Sequence, residues 1–212
     1  MKKIIWLILR TFRISDLIQL KLSSYLKDTG WFKSYYRNEA VDKFNNPIPW
    51  LTYPFITFVE PRLNQSMNVF EYGSGNSTFW FSLRVGKIVS LEHDKTWYNK
   101  LMNKMPANVD LVYKELNSNG EYAEFIKETG EKYDIVIVDG RDRVNCVKKS
   151  VGALSDRAVL VFDNSNVECY QEAMQFLKEN NFKRIDFYGI SPITTISTCT
   201  TVFYKENNCL GI

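Results

Sequence analysis

The sequence predicts an α/β protein, a doubly wound and mostly parallel seven-stranded sheet carrying an N-terminal helical extension. Three observations lead there. From Asn68 onward, short apolar runs alternate with helical stretches, the rhythm of repeated βαβ units. Two of the runs, IVIVD ending at Asp139 and AVLVFD ending at Asp163, are almost continuously apolar, as expected of strands covered on both faces of a parallel sheet. The last two runs, Lys183–Tyr188 and Thr198–Tyr204, have no helical pattern between them, which predicts a closing antiparallel pair.

The elements follow in order. Residues 3–27 place Ile4, Leu7, Ile8, Ile14, Leu17, Ile18 and Leu22 mostly three or four apart with Lys and Arg between them, the pattern of one amphipathic basic helix. Such a helix suits packing on the domain, a homodimer contact, or peripheral contact of residues 1–27 with an anionic membrane. Residues 29–54 are rich in aromatics, lack a clean period and contain Pro47, Pro49 and Pro54, so they read as a connector able to cover one mouth of the following domain. A short helix over Phe55–Asn64 leads into strands at Asn68–Tyr72, Lys87–Glu92, Asp110–Lys114, Tyr133–Asp139 and Ala158–Asp163. Helices fit between and after them at Ser77–Arg84, Lys95–Lys104, Tyr122–Glu128, Arg143–Ala153 and Glu168–Asn180. Asp94 is placed to cap the second of these, and Gly86 to stop the first. The chain thus divides into an arm and connector, 1–64, and a ligand-binding domain, 65–212.

Composition narrows the class. With 45% hydrophobic residues, and 14 Phe, 12 Tyr and 5 Trp in 212, the chain is too apolar for intrinsic disorder. No run approaches the ~18 apolar residues of a spanning helix. The net charge of +3 is unevenly spread: residues 1–37 carry eight Lys and Arg against Asp16 and Asp28, and the remainder carries 19 against 22. An acidic core lacks the basic footprint of a nucleic-acid binder. Cys146, Cys169, Cys199 and Cys209 form no C-x-x-C pair and read as reduced thiols of a cytoplasmic protein. The apolar run from Ile4 to Leu9 is short for a signal peptide and is followed at once by Arg10 and Arg13.

Chemistry concentrates at the predicted strand ends, where open α/β sheets bind ligands. In FEYGSGNST, Gly73 and Gly75 allow a tight turn and close approach of a ligand, although any strand-to-helix turn uses such residues. The position of a third glycine is held by Thr78, and Glu71 precedes the turn, which favours a nucleoside-amino-acid ligand over a pyrophosphate. Glu92 lies nineteen positions after Gly73, near the spacing of an acid that accepts from ribose hydroxyls. Its neighbour His93, the single histidine, reads as an edge residue. With Asp139 and Asp163, these acids are expected to face one crevice. Arg141 and Arg143 suit either neutralising Asp139 or gripping an anionic substrate. Asp139, Asp163 and Asn164 offer hard oxygen ligands for Mg²⁺, or are ordinary turn residues.

In the order EYGSGNS, an acid closing strand two, IVIVDG and VFDN, the chain from about Asn68 to Tyr204 resembles class I S-adenosylmethionine-dependent methyltransferases, whose sheet is Rossmann-like. GWFKS, NPIPWLTYP and VDGRDR are similar to methyltransferase-like proteins of bacterial surface-polysaccharide clusters, related to FkbM-type enzymes. The resemblance implies that Glu71, Gly73, Gly75, Asn76 and Ser77 embrace the methionine and ribose part of S-adenosylmethionine. It gives the ribose to Glu92 with His93 beside it and puts Glu115 next to the adenine. Asp139 then borders both cofactor and acceptor, with Arg141 and Arg143 as its catalytic neighbours. Asp139, Asp163 and Asn164 are similar to the metal triad of catechol-type O-methyltransferases. The implied activity is methyl transfer to a hydroxyl of a sugar, glycan or small acceptor, with Asp139 or a Mg²⁺ ion activating the hydroxyl. Trp50 and Tyr53, on the proline-rich connector, suit stacking on a sugar, closing the site, or anchoring the N-terminal segment in the core. The alternatives are a non-catalytic nucleotide-binding or scaffold module of the same fold, and an NAD-dependent sugar oxidoreductase.

Overall fold

A computed structural model describes residues 9–212. Ile4, Leu7 and Ile8 of the amphipathic pattern, with Lys2 and Lys3, lie outside the described residues. The remaining arm is not one helix. Residues 9–11 are helical, Arg13 takes a left-handed conformation, and α1 runs Ile14–Leu22. α2 (Tyr25–Thr29) starts afresh because Ser24 is extended and its hydroxyl accepts the Lys27 N–H at 3.2 Å. Hydrophobic spacing alone does not register such a capping serine. Gly30, left-handed, ends α2 and opens α3 (Trp31–Arg37), a helix inside the stretch expected to be irregular.

The connector then joins the core. Thr52 N–H donates to Thr200 Oγ1 and Thr52 Oγ1 to the Phe187 carbonyl, both at 3.1 Å, fixing the start of α4 (Tyr53–Val59) on the sheet. The strands are β1 (Asn68–Tyr72), β2 (Lys87–Glu92), β3 (Val109–Tyr113), β4 (Tyr133–Val138), β5 (Leu154–Asp163), β6 (Lys183–Gly189) and β7 (Thr198–Tyr204). The crossover helices are α5 (Asn76–Ser82), α6 (Lys95–Leu101), α7 (Glu121–Glu128), α8 (Arg143–Ser150) and α9 (Gln171–Glu179). Spatial order is β3-β2-β1-β4-β5-β7-β6, parallel except for β7, which runs antiparallel to both neighbours. The doubly wound seven-stranded sheet is as the sequence indicates.

Each continuous apolar run serves two cores because side chains alternate across a strand. Val69, Ile135, Ile137, Val159 and Val161 face α4, α5 and the connector residues Ile48 and Leu51. Their neighbours Phe70, Tyr72, Val136, Val138 and Leu160 face α7, α8 and α9. The connector therefore shares one core with the strands. From β1 the chain winds outward through β2 and β3, and from β4 outward the other way. The carboxyl ends of β1 and β4 thus border the switch point where such sheets open a crevice.

Candidate functional site at the sheet switch point

A cleft of about 650 Å³ opens at that switch point, within the size range of small-molecule sites. Gly73 and Gly140 form its saddle. Gly73 has φ +93°, and a Cβ there would lie 3.2 Å from Gly140 backbone atoms. A Cβ on Gly140 would meet Tyr122 Oη at 2.5 Å and Gly73 N at 3.1 Å. The turns after β1 and β4 thus pack against each other through backbone, and both glycines line the cleft. Gly75 differs: open space surrounds its Cβ direction, and its N–H donates to Thr78 Oγ1 at 3.1 Å, helping to start α5.

Glu92, at the end of β2, lines the cleft. One carboxylate oxygen accepts from Ser74 N–H (3.2 Å) and Ser74 Oγ (2.7 Å), the other from the His93 and Asp94 amides, both at 2.8 Å. His93 also lines the cleft, its Nδ1 3.1 Å from Glu92 Oε1 but off the line of a hydrogen bond. Trp97, placed one turn after the Asp94 cap, presents its ring at the rim and donates Nε1–H to the Ser74 carbonyl at 2.9 Å.

The other expected turn residues are elsewhere. Glu71 does not face the crevice. It lies on the α5 face of β1, where its carboxyl takes hydroxyls from Ser77, Thr78 and Ser90. Burial pushes it up to about 7. Of these partners, Ser77 also borders the cleft. The Asn76 side chain reaches away, donating to the Ala40 carbonyl at 2.7 Å and tying the connector to the turn. Glu115 stands exposed on the loop after β3, off the cleft lining. The spacing that finds Glu92 carries no information about that loop's path.

The cleft floor is organised by Arg143. Its guanidinium donates to the carbonyls of Asp139 (3.0 Å), Gly140 (3.0 Å) and Asp163 (2.7 Å), to Asp139 Oδ1 (2.9 Å) and to Asn164 Oδ1 (3.1 Å). These five bonds match the five N–H donors of a guanidinium, so Arg143 has none left for a substrate. It also corrects the metal expectation. The oxygens of Asp139, Asp163 and Asn164 surround a fixed cation, and Asp163 Oδ1 takes the Thr200 hydroxyl at 2.7 Å. This set does not fit Mg²⁺, and no cluster of three or more His, Cys, Asp or Glu suited to a metal occurs among the described residues. Burial first, then the charge of Asp163, holds the Asp139 carboxyl well above the usual aspartate range, and burial raises Asp163 as well. Arg141, exposed at the rim, is the cleft arginine with its guanidinium outside that network.

The far wall carries Asn166, Ser191, Thr194, Ser197 and Thr198, mostly from the loop between β6 and β7. Trp50, half exposed, stands at the same mouth. Tyr53 does not: it is buried among core side chains, with its hydroxyl pushed up to about 12 by burial. Sequence reasoning missed Ser74, Trp97, Gly140 and this loop. Gly140 and Trp97 were findable, each sitting just beyond an acid already singled out.

No family model matches the chain, and no curated protein matches it. Solved structures do. A precorrin-6y C5,15-methyltransferase from Geobacter metallireducens GS-15 is 15% identical, with a TM-score of 0.55 over 71% of this chain and 86% of that one. A methyltransferase-like protein from Silicibacter pomeroyi DSS-3 is 20% identical, with a TM-score of 0.53 over 76% and 90%. A putative methyltransferase from Streptococcus mutans, solved in complex with SAH, is 15% identical, with a TM-score of 0.50 over 72% and 97%. At these identities the likeness establishes that this chain has the fold of class I S-adenosylmethionine-dependent methyltransferases.

Proposed function

We propose that the chain is an S-adenosylmethionine-dependent methyltransferase acting on a hydroxyl of a sugar, glycan or other small acceptor. The observation that carries the reading is the bare Gly73–Gly140 saddle opening beside Glu92 at the switch point. The Streptococcus mutans structure, which holds SAH on the same fold, supports the choice of cofactor.

The residues fit that group. Gly73 and Gly140 line the cleft, Glu92 could accept a ligand hydroxyl in place of the Ser74 hydroxyl on its Oε2, Trp97 offers a flat apolar face, and Asp94 sets a carboxylate at the same rim. Bound there, the cofactor would supply a sulfonium methyl that needs no further activation. What remains for the protein is alignment and proton removal. Asp139 is the candidate base. Arg143 fixes its Oδ1, and the carboxyl, at the cleft lining beside Asp163, would accept the proton of an attacking hydroxyl. Because its carboxyl is raised, it is a stronger base once ionised, and turnover should climb as pH rises through its ionisation. Arg143 positions Asp139 and does not touch substrate. The hydroxyl- and amide-rich wall with Trp50 beside it suits a polyhydroxylated acceptor, which is the sense in which a surface-polysaccharide role is proposed.

The test is transfer of a labelled methyl group from the cofactor to a panel of glycans and small alcohols. Wild type should label a hydroxyl acceptor, while Asp139→Asn should retain S-adenosylhomocysteine binding and lose turnover. Labelling of amines or nucleic acid alone would replace the acceptor class. A folded protein that binds neither the cofactor nor its product would be the scaffold module instead.

A further inference from the structure

We propose that the helical arm over residues 9–37 docks the protein on an anionic phospholipid surface. The arm leaves large apolar side chains in water: Phe12 is 70% exposed, Leu17 68%, Leu22 60% and Tyr36 74%. Scattered apolar residues are ordinary, but here they share one short segment and alternate with cations. Beside them is a recess of about 270 Å³ lined by Lys21, Lys27, Lys33 and Lys43 over Phe32. Lys27 Nζ donates to the Leu22 carbonyl and Lys33 Nζ to the Lys43 carbonyl, each at 2.6 Å, so two of the ammonium groups are held in place. Asp28 is the acid of that recess. Arg37 pairs with Glu39, whereas none of the four lysines has an ion-pair partner among the described residues.

The charge pattern selects the partner. Residues 1–37 hold eight basic and two acidic side chains, while the rest of the chain is net acidic. A two-fold contact between copies would set this basic patch against itself. A nucleic acid would meet the lysines but leave the leucines and Phe12 in water. An anionic bilayer satisfies both sets, with phosphates over the lysine recess and apolar side chains among the acyl chains. No helix among the described residues is long and apolar enough to cross the bilayer. It also reaches the cleft: Trp31 of α3 donates Nε1–H to the carbonyl of Thr194, on the cleft loop, at 2.7 Å. This inference stands apart from the proposed reaction.

The experiment is sedimentation of the full chain with vesicles of phosphatidylcholine, with and without phosphatidylglycerol. The protein should bind only the anionic vesicles and release as salt is raised. Each basic residue near such a surface contributes roughly fivefold in partition, so Lys21→Ala with Lys27→Ala should lower binding about 25-fold. Leu17→Ser with Leu22→Ser should weaken it too, and both variants should melt like wild type because the sites are exposed. Equal binding to neutral vesicles, no binding to either, or unchanged binding by both variants would overturn the proposal. So would a dimer dissociated by the leucine variant, or inorganic phosphate stabilising a protein that ignores vesicles.

Discussion

Glu71 and Asp139 sit at the ends of neighbouring strands, β1 and β4, yet their surroundings are opposite. Glu71 shares a strand face with Val69 and is turned toward α5, where three hydroxyls and no cation receive it. Asp139 follows the last residue of β4, opens on the cleft, and meets the Arg143 guanidinium. The difference teaches that position along the strand decides the role of its acid: Glu92 and Asp163, the last residues of β2 and β5, and Asp139, just past β4, line the cleft, whereas Glu71, one residue short of the end of β1, lies under α5. It also separates two ways of burying a carboxyl. Hydroxyls tolerate either protonation state, whereas a guanidinium binds its carboxylates into a charged network.

Breaking the charged side should have the largest effect. Arg143→Ala strips the half-buried Asp139 carboxyl, the Asn164 amide oxygen and three carbonyls of their donor and leaves the buried Asp163 without its cation, and should cost about 3–5 kcal/mol in denaturant unfolding. Arg143→Lys should recover only part of this, since an ammonium cannot span the same acceptors. On the hydroxyl side, the effect depends on pH. The folded chain raises Glu71 from 4.5 to about 7, so its neutral form is favoured. Its contribution is fully present below about pH 4.5 and is lost as pH rises through 7, roughly 3 kcal/mol in all. Glu71→Gln should remove that slope from stability curves measured across this window, while Arg143→Ala should not. Gly140→Ala should cost roughly 1–3 kcal/mol by overpacking the saddle, and Tyr122→Phe added to it should return part of the loss by removing the nearest atom. The smallest effect is expected of Trp97→Phe. Losing the bond to Ser74 removes about 1 kcal/mol, to be read as weaker binding of S-adenosylhomocysteine with little change in melting.

The legible parts of the molecule are those where one residue type answers one physical demand. Continuous apolar runs such as IVIVD mark doubly covered strands, Asp94 caps α6 through its bond to the Trp97 amide, and Gly73 occupies a φ that side chains avoid. What escaped reading depends on partners distant in sequence. Arg143 looks free until Asp163 and Asn164, twenty residues on, are folded against it. Glu71 looks like a ligand until Ser90, on the next strand, turns out to share its cage. The amphipathic arm reads as one helix because spacing records burial, while the left-handed Arg13 and the extended, capping Ser24 break it through local backbone geometry.

The proposed place of the nucleoside-amino-acid cofactor is the Gly73–Gly140 saddle beside Glu92. Isothermal titration with S-adenosylhomocysteine, and with NAD⁺ as control, tests it most directly in wild type and in Gly73→Arg, whose folding is checked by circular dichroism. Wild type should bind S-adenosylhomocysteine and not NAD⁺, and a folded Gly73→Arg variant should bind neither. Absence of binding by folded wild type, or unchanged binding with the saddle filled, would contradict that placement.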